Sequence, residues 1–370
     1  MEKNIIFIFI FLIALSLFLW NCRKLVRYML IGKKSEHRLD GIGERVIKAV
    51  TVAFGQTKLF RDLPAGILHF LIFWGFILFL FTVIESVIQG FLASFNFSFM
   101  GSFYSVLTWI QDIFAVLVIL SCFYALYRRF ILHVPRLEVD KSAKLDAAVI
   151  LLLIILVCVS MLGMNTFLVV KKSFLLEANE SRPLSLLIAK IFFPSGISSV
   201  HNFYEWFWWA HILTILVFLN YLPYSKHLHV LTSIPNTFLA DLQVKRNTIK
   251  PLDLEREDVQ FFGAADIEHL SWKQILDGYS CTECGRCTAA CPAANVGKSL
   301  SPRKIIVDIR KRTLDKAPHI LSGEVQGEVF QKTLVHDYIT DLELWECTTC
   351  NACVQECPVM IEHLDSIVDM

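Results

Sequence analysis

The chain has 370 residues, 55% of them hydrophobic and 19% charged, and 35 Lys and Arg against 34 Asp and Glu leave a formal net charge of +1. A mean hydropathy of +0.54 is too apolar for a soluble globular protein, while the charged fraction is too high for a chain lying wholly in lipid. The near-neutral balance provides no bulk basic field for nucleic acid.

Five apolar segments are long enough to cross a bilayer, which needs about 20 residues: Asn4–Trp20, Pro64–Gln89, Phe103–Tyr127, Leu145–Val170 and Asn202–Tyr221. The first follows Lys3 and resembles a signal peptide, but it has no small-residue cleavage site. Arg23, Lys24, Arg27, Lys33 and Lys34 come after it, so an uncleaved helix is predicted. Residues 21–63 carry ten Lys or Arg and residues 128–144 carry five, whereas residues 90–102 carry none and residues 171–201 carry four. The positive-inside rule therefore puts the N-terminus outside and delivers everything after Tyr221 to the cytoplasmic side of an inner membrane. The apolar piece Leu184–Phe193 in the last outside loop is too short to span and is assigned no role.

A linker containing Pro235 and Pro251 leads to Ser271-Trp-Lys-Gln274, a capping box heading a short helix. Next comes Cys281-Thr-Glu-Cys284-Gly-Arg-Cys287-Thr-Ala-Ala-Cys291-Pro292, repeated as Cys347-Thr-Thr-Cys350-Asn-Ala-Cys353-Val-Gln-Glu-Cys357-Pro358. Two C-x2-C-x2-C-x3-C-P runs are the ligand pattern of two [4Fe–4S] clusters, the fourth Cys of each run ligating the other cluster. The expected sets are Cys281, Cys284, Cys287 with Cys357, and Cys347, Cys350, Cys353 with Cys291. Zinc takes four ligands from two separated pairs and has no use for a doubled four-Cys run ending in Pro. The remaining cysteines, Cys22, Cys122 and Cys158, read as small hydrophobes, and the lack of spare pairs implies a reducing compartment. Between the runs, Ser301 is predicted to cap a helix with Pro302 first in it and Ile305, Ile306 and Ile309 on its buried face. The 55-residue gap from Cys291 to Cys347 looks helical and favours an α-helical ferredoxin over the compact βαβ form.

Of eleven histidines, His69 and His211 fall inside predicted spans, and His201 and His229 fall at helix ends. A polar residue in a membrane helix is a functional suspect, set against an imidazole that merely bonds a neighbouring helix. His211 and His229 are 18 residues apart, five turns of 3.6, so on a continuous helix they share a face about 27 Å apart. His227 falls on nearly the opposite face. His69 and His229 are predicted at similar depth, where they would clamp one b-type haem. Glu85, 16 residues beyond His69, is read either as a proton acceptor for quinol or as a helix-end acid among headgroups. Glu205 and His201 have the same status.

His211 with Pro223-Tyr-Ser-Lys226 and His229 resembles the fifth-helix haem motif of the membrane gamma subunit of respiratory nitrate reductase. That family has five helices and two bis-histidine haems, with two histidines ten residues apart on the second helix. His69 matches the first of these; the second position is Phe79. The resemblance implies an intact inner haem on His69 and His229, and an outer site that keeps only His211. Cys281 to Met370 resembles the iron–sulfur region of heterodisulfide reductase D-like proteins. The fused arrangement is similar to bacterial membrane-bound Fe–S oxidoreductases that link electron-transfer flavoprotein or dithiol chemistry to quinone. That family usually continues into two CCG-type domains. This sequence has no Cys-Cys-Gly, which implies a separate polypeptide or a truncated form.

The expected architecture is all-α: a transmembrane cytochrome b domain at 1–235, a linker at 236–270 and a two-cluster α-helical ferredoxin domain at 271–370. The expected function is electron transfer between a quinone or menaquinone pool and a cytoplasmic partner, such as a CCG-domain reductase subunit or an electron-transfer flavoprotein. A non-catalytic membrane anchor and a redox sensor are the competing readings.

Overall fold

The computed structural model describes residues 2–35, 38–172, 181–242, 255 and 262–370. Among them every regular element is helical, and only two isolated bridges occur, Lys33 with Ser271 and Val335 with Ile339. The helices are α1 (Glu2–Met29), α2 (Ile42–Lys48), α3 (Leu63–Phe91), α4 (Ser102–Phe130), α5 (Lys141–Lys171), α6 (Pro183–Phe192), α7 (Val200–Tyr221) and α8 (His229–Phe238). Nearer the C-terminus come α9 (Trp272–Ser280), α10 (Arg286–Ala289), α11 (Pro292–Asn295), α12 (Pro302–Ser322), α13 (Glu328–Gln331), α14 (Asp341–Trp345), α15 (Ala352–Glu356) and α16 (His363–Asp369). They pack as two compact units that interleave along the chain: residues 1–19, 62–133 and 139–221 form one, and residues 20–61, 134–138 and 222–370 form the other. The linear division at 235 and 270 drawn from the sequence does not follow this packing.

The first unit contains α3, α4, α5, α6, α7 and the start of α1. Among the described residues five helices, including the whole of α1, are long and apolar enough to cross a membrane. Their starts are set by side chains. Asp62 accepts a hydrogen bond from the Ala65 amide ahead of α3, with Pro64 in the first turn, and Asp140 does the same for α5 through Ala143. Contacts at the helix ends give alternating directions. Asp62 before α3 lies 3.7 Å from Arg128 at the end of α4, and Asp146 at the start of α5 accepts from Tyr221 Oη at the end of α7. At the opposite end, Asn4 of α1 donates to the Gly90 carbonyl of α3, and Lys3 pairs with Glu205 at the start of α7 at 2.5 Å. α1 lies so close to α3 that a Cβ on Gly90 would stand 2.2 Å from the Phe7 ring, so only glycine fits.

α6 is the short apolar piece noted in the sequence. The buried Asp112 of α4 accepts from the Leu184 and Ser185 amides at its first turn (2.7 and 2.9 Å) and from Ser185 Oγ (2.6 Å). The carboxylate satisfies amides that the helix start leaves without partners.

In the second unit a core of Leu25, Tyr28, Ile267, Leu270, Ile275, Leu300, Ile305, Ile306 and Ile309 gathers under α9 and α12. The predicted isoleucine stripe is fully buried, Ser301 caps α12, and the Ser271–Gln274 capping box is formed in both directions. α1 runs nine residues past the predicted end of its apolar segment, because Leu25 and Tyr28 go into this core. Pro235, placed in a linker by the sequence, lies inside α8; Pro251 and much of the remaining linker fall outside the described residues.

One expectation is corrected. α7 ends at Tyr221, two short 3₁₀ turns follow at Leu222–Tyr224 and Lys226–Leu228, and α8 begins at His229. Pro223 cannot donate into a continuing helix, and the Ser225 side chain starts a new turn by accepting from the His227 amide. The five-turn phase linking His211 to His229 therefore does not apply, and neither does the opposite-face argument against His227, whose ring centroid lies 5.5 Å from that of His229.

Candidate redox centres

Each cysteine run starts where a short helix stops. α9 ends on Cys281 in extended conformation, and α14 ends just before Cys347. The two runs then follow one backbone path. Glu283 and Gly285 in the first have φ of 55° and 74°, and Thr349 and Asn351, at the same places in the second, have 53° and 60°. These left-handed residues turn consecutive amides to the inside of the loop, the arrangement that receives an anionic group. The third cysteine of each run, Cys287 or Cys353, sits in a one-turn helix, α10 or α15. The fourth leaves it extended, Cys291 with φ −75° and ψ 121°, Cys357 with φ −71° and ψ 119°.

The thiols fall into two groups. Burial first, and then Cys281, Cys284, Cys357 and Cys353, hold Cys287 well above the ordinary thiol range. Burial and then Cys284 raise Cys357 to about 12. For Cys353, also raised to about 12, burial is followed by Cys347, Cys350 and Cys291; for Cys347, it is followed by Cys291 and Cys350. Cys291 of the first run is thus felt by Cys347 and Cys353 of the second, and Cys357 of the second lies among the charges felt by Cys287 and itself feels Cys284. Sulfurs so buried carry charge only if a cation shares the space. Two amides already point at them, Thr349 at Cys347 Sγ and Ile361 at Cys357 Sγ, both at 3.4 Å. Among the described residues no three His, Cys, Asp or Glu side chains converge as ligands of one ion do. A cubane, with an iron at each of four corners, takes its thiolates further apart than a single zinc, which holds every sulfur at about 2.3 Å. The residues present fit the cluster.

The segment that follows Cys357 is held by a buried charge network invisible in the sequence. Lys273 Nζ bonds Asp277 Oδ1 at 2.7 Å, with both side chains fully buried. Arg38 grips Glu362 with two bonds of 2.7 Å, and Asn236 ties Asp277 to the Val359 carbonyl at 2.9 Å each. Burial raises Asp277; burial also acts on Glu362, but Lys273 and Arg38 outweigh it and hold that carboxyl low. Residues 359–362, immediately after Cys357-Pro358, are thereby pinned. Glu346, next to Cys347, accepts from Ser299 Oγ and the Leu300 amide at 2.8 and 2.9 Å, tying the second run to the segment after Cys291.

The histidines are placed as follows. His211 on α7 is buried; its Nδ1 lies 3.1 Å from both the Val157 carbonyl and Ser160 Oγ of α5, and its Nε2 is buried with no partner. An imidazole held through one nitrogen with the other unsatisfied is the form of an axial metal ligand. This residue fits a haem iron. His229 repeats the first half of that arrangement, with Nδ1 3.2 Å from the Lys226 carbonyl. His69 on α3 stacks on Phe73, with ring centroids 6.4 Å apart. His69 lies in the first unit and His229 in the second. Phe79 is buried among Ala115, Val118, Cys122, Cys158, Met161 and Leu162.

The quinone candidates fare unequally. Glu85 is buried, not among headgroups, and accepts from Tyr104 Oη at 2.9 and 3.0 Å and from the Phe97 amide at 2.9 Å. That makes it a tie between α3, α4 and the turn joining them. Glu205 is engaged by Lys3, whose Nζ lies 3.8 Å over the Trp208 ring, and His201 is exposed.

Residues 280–361 match the family described as the 4Fe-4S dicluster domain. The chain is 31% identical, over 99% of its length and 55% of the relative's, to the probable iron-sulfur-binding oxidoreductase FadF of Bacillus subtilis. It is 29% identical, over 98% of its length and 53% of the relative's, to the EtfAB:quinone oxidoreductase of Syntrophomonas wolfei. Over 26% of its length it is 33% identical to one component of the ferredoxin/F(420)H(2)-dependent CoB-CoM heterodisulfide reductase of Methanosarcina acetivorans, covering 45% of that relative. The chain spans about half the length of the first two relatives. No solved structure matches it.

Proposed function

We propose that this chain carries electrons between a membrane quinone and a redox partner on the cytoplasmic side, through haem b and two [4Fe–4S] clusters. The observation that supports this most is the cross-pairing of the cysteine runs, Cys357 with Cys284 and Cys287 and Cys291 with Cys347 and Cys353. It is the ligand topology of two clusters held close together, a device for passing electrons. When bound, such clusters and a haem supply one-electron carriers at fixed potentials.

The residues do the rest. Cys281, Cys284, Cys287 and Cys357 would hold one cluster, and Cys347, Cys350, Cys353 and Cys291 the other. His69 and His229 would hold the inner haem, and His211 an outer centre beside which quinone exchanges two electrons and two protons. The network of Lys273, Asp277, Arg38 and Glu362 fixes the segment after Cys357, so the clusters keep their separation. A relative named EtfAB:quinone oxidoreductase agrees with quinone on one side and an electron-transfer flavoprotein on the other. A CCG-domain reductase subunit is the alternative partner.

The test is to reconstitute the chain alone in liposomes with menaquinol. Haem and cluster signals should respond to the quinone, with no turnover of dithiol or acyl-CoA substrates. Turnover by the chain alone would overturn the conduit reading, and centres inert to quinone would leave a membrane anchor in its place.

A further inference from the structure

Three ligand cysteines of the first set share a feature that none of the second set has. The Cys281 carbonyl accepts from Arg310 Nη1 at 3.1 Å, and the Cys284 carbonyl accepts from Arg136 Nη1 at 2.9 Å. The Cys357 carbonyl accepts from Lys58 Nζ at 3.2 Å, which also reaches the Val354 carbonyl at 3.3 Å. Among the described residues no lysine or arginine side chain bonds the carbonyl of Cys347, Cys350, Cys353 or Cys291; the Cys291 carbonyl accepts from the Asn295 amide.

The three cations come from far apart in the chain, and their segments are clamped onto the first run. Arg286 donates to the Lys58 and Leu59 carbonyls, both at 2.9 Å, and Arg303 donates to the Arg136 carbonyl at 3.0 Å. The Arg136 carbonyl comes so close that a Cβ on Gly285 would stand 2.1 Å from it.

We propose that Arg136, Arg310 and Lys58 form a cationic cradle that holds the cluster of Cys281, Cys284, Cys287 and Cys357 at a higher reduction potential than its neighbour, so that electrons collect there. The proposal rests on the two-cluster reading above. Reduction adds one negative charge to a group that four thiolates already make anionic, so a fixed cation stabilises the reduced form more than the oxidised one. Glu283 pairs with Arg310 and offsets part of that one charge. Cys350 is exposed, and water there favours reduction of the second cluster. Arg310 and Lys58 act at the buried Cys281 and Cys357, where screening is weak, and with Arg136 at the half-buried Cys284 they outweigh one water-facing corner.

The experiment is an anaerobic redox titration of the purified full chain, followed by EPR, with iron and sulfide measured on every preparation. Arg136→Gln, Arg310→Gln and Lys58→Gln should each lower the midpoint of one cluster, the one whose signal Cys281→Ser alters, and leave the other in place. A tenfold fall in the reduced-to-oxidised ratio at fixed potential, 59 mV for a one-electron couple, is the size expected of Arg136→Gln. Arg310→Lys and Lys58→Arg, which keep the charge, should hold the midpoint and decide the matter wherever a Gln variant loses its cluster. Midpoints that stay put, that move together, or that fall equally in the charge-keeping variants overturn the cradle. A wild-type chain without cubane iron and sulfide overturns the two-cluster reading instead.

Discussion

At the scale of single residues, substitutions at the cysteines and at the histidines test the proposed clusters and the proposed haem separately. Cys281→Ser and Cys291→Ser change cysteines of the same run, yet Cys291 is felt by Cys347 and Cys353. The two variants should therefore damage different clusters, seen as distinct EPR lesions; loss of one and the same cluster in both would refute the crossing. In the membrane part, His211→Ala should abolish a centre that His69→Ala and His229→Ala leave intact, while the latter two remove a single low-spin haem between them. Optical spectra of reduced membranes check this, and an undiminished low-spin signal in His69→Ala contradicts it. His211→Leu removes the partnerless Nε2 but also the Nδ1 contacts with Val157 and Ser160, and should cost about 1–3 kcal/mol while still removing the centre.

At the scale of elements, the first cysteine run depends on a backbone that only glycine allows. Gly285→Ala meets both a left-handed φ of 74° and a carbonyl 2.1 Å from the new Cβ, and should cost about 2–4 kcal/mol with loss of iron. Gly285→Asn tolerates the φ but not the contact, so it should fail as well. Iron content and thermal melting check both outcomes.

The segment before α9 is anchored to α12 by Asp266, which accepts from Arg312 at 2.9 and 2.6 Å and from Lys316 at 2.9 Å. Burial pushes the Asp266 carboxyl up, but those two cations outweigh it and the result lies below the usual value. A carboxyl with a depressed folded pKa contributes stability above its unfolded value, near 3.9, and that contribution disappears as pH falls through the folded one. Acid titration of stability should therefore be steeper in the wild type than in Asp266→Asn. The variant should lose about 1–3 kcal/mol at neutral pH, since it removes the carboxylate charge while Lys316 keeps Glu268 and Arg312 keeps the Val329 and Lys332 carbonyls.

At the scale of the whole molecule, alternating helix directions together with the loop charges predict an N-terminus outside and both cysteine runs inside. A reporter that is active only in the cytoplasm should work when fused after Met370 and fail when fused before Met1. The reverse pattern would put the clusters on the wrong side for a cytoplasmic flavoprotein or reductase subunit. The same topology sets where the cradle cations originate: Lys58 and Arg136 belong to connections between apolar helices, on the side that carries most of the loop Lys and Arg.

By itself the sequence determined whatever depends on neighbours a few residues away. The five apolar stretches, the Ser271 and Ser301 caps, the buried Ile305, Ile306 and Ile309, and the two cysteine runs are all legible because hydropathy, capping and ligand spacing are local properties. The break between α7 and α8 was half visible in Pro223, yet a helical phase drawn through it could not register the 3₁₀ turns. Only the tertiary structure decided which distant groups meet. No spacing rule links Lys58 or Arg136 to Cys357 or Cys284, Arg38 to Glu362, or Asp112 to the start of α6. Those pairings follow from packing, which brings residues hundreds of positions apart within hydrogen-bond reach and out of water, where a charge acts on its neighbours with little screening.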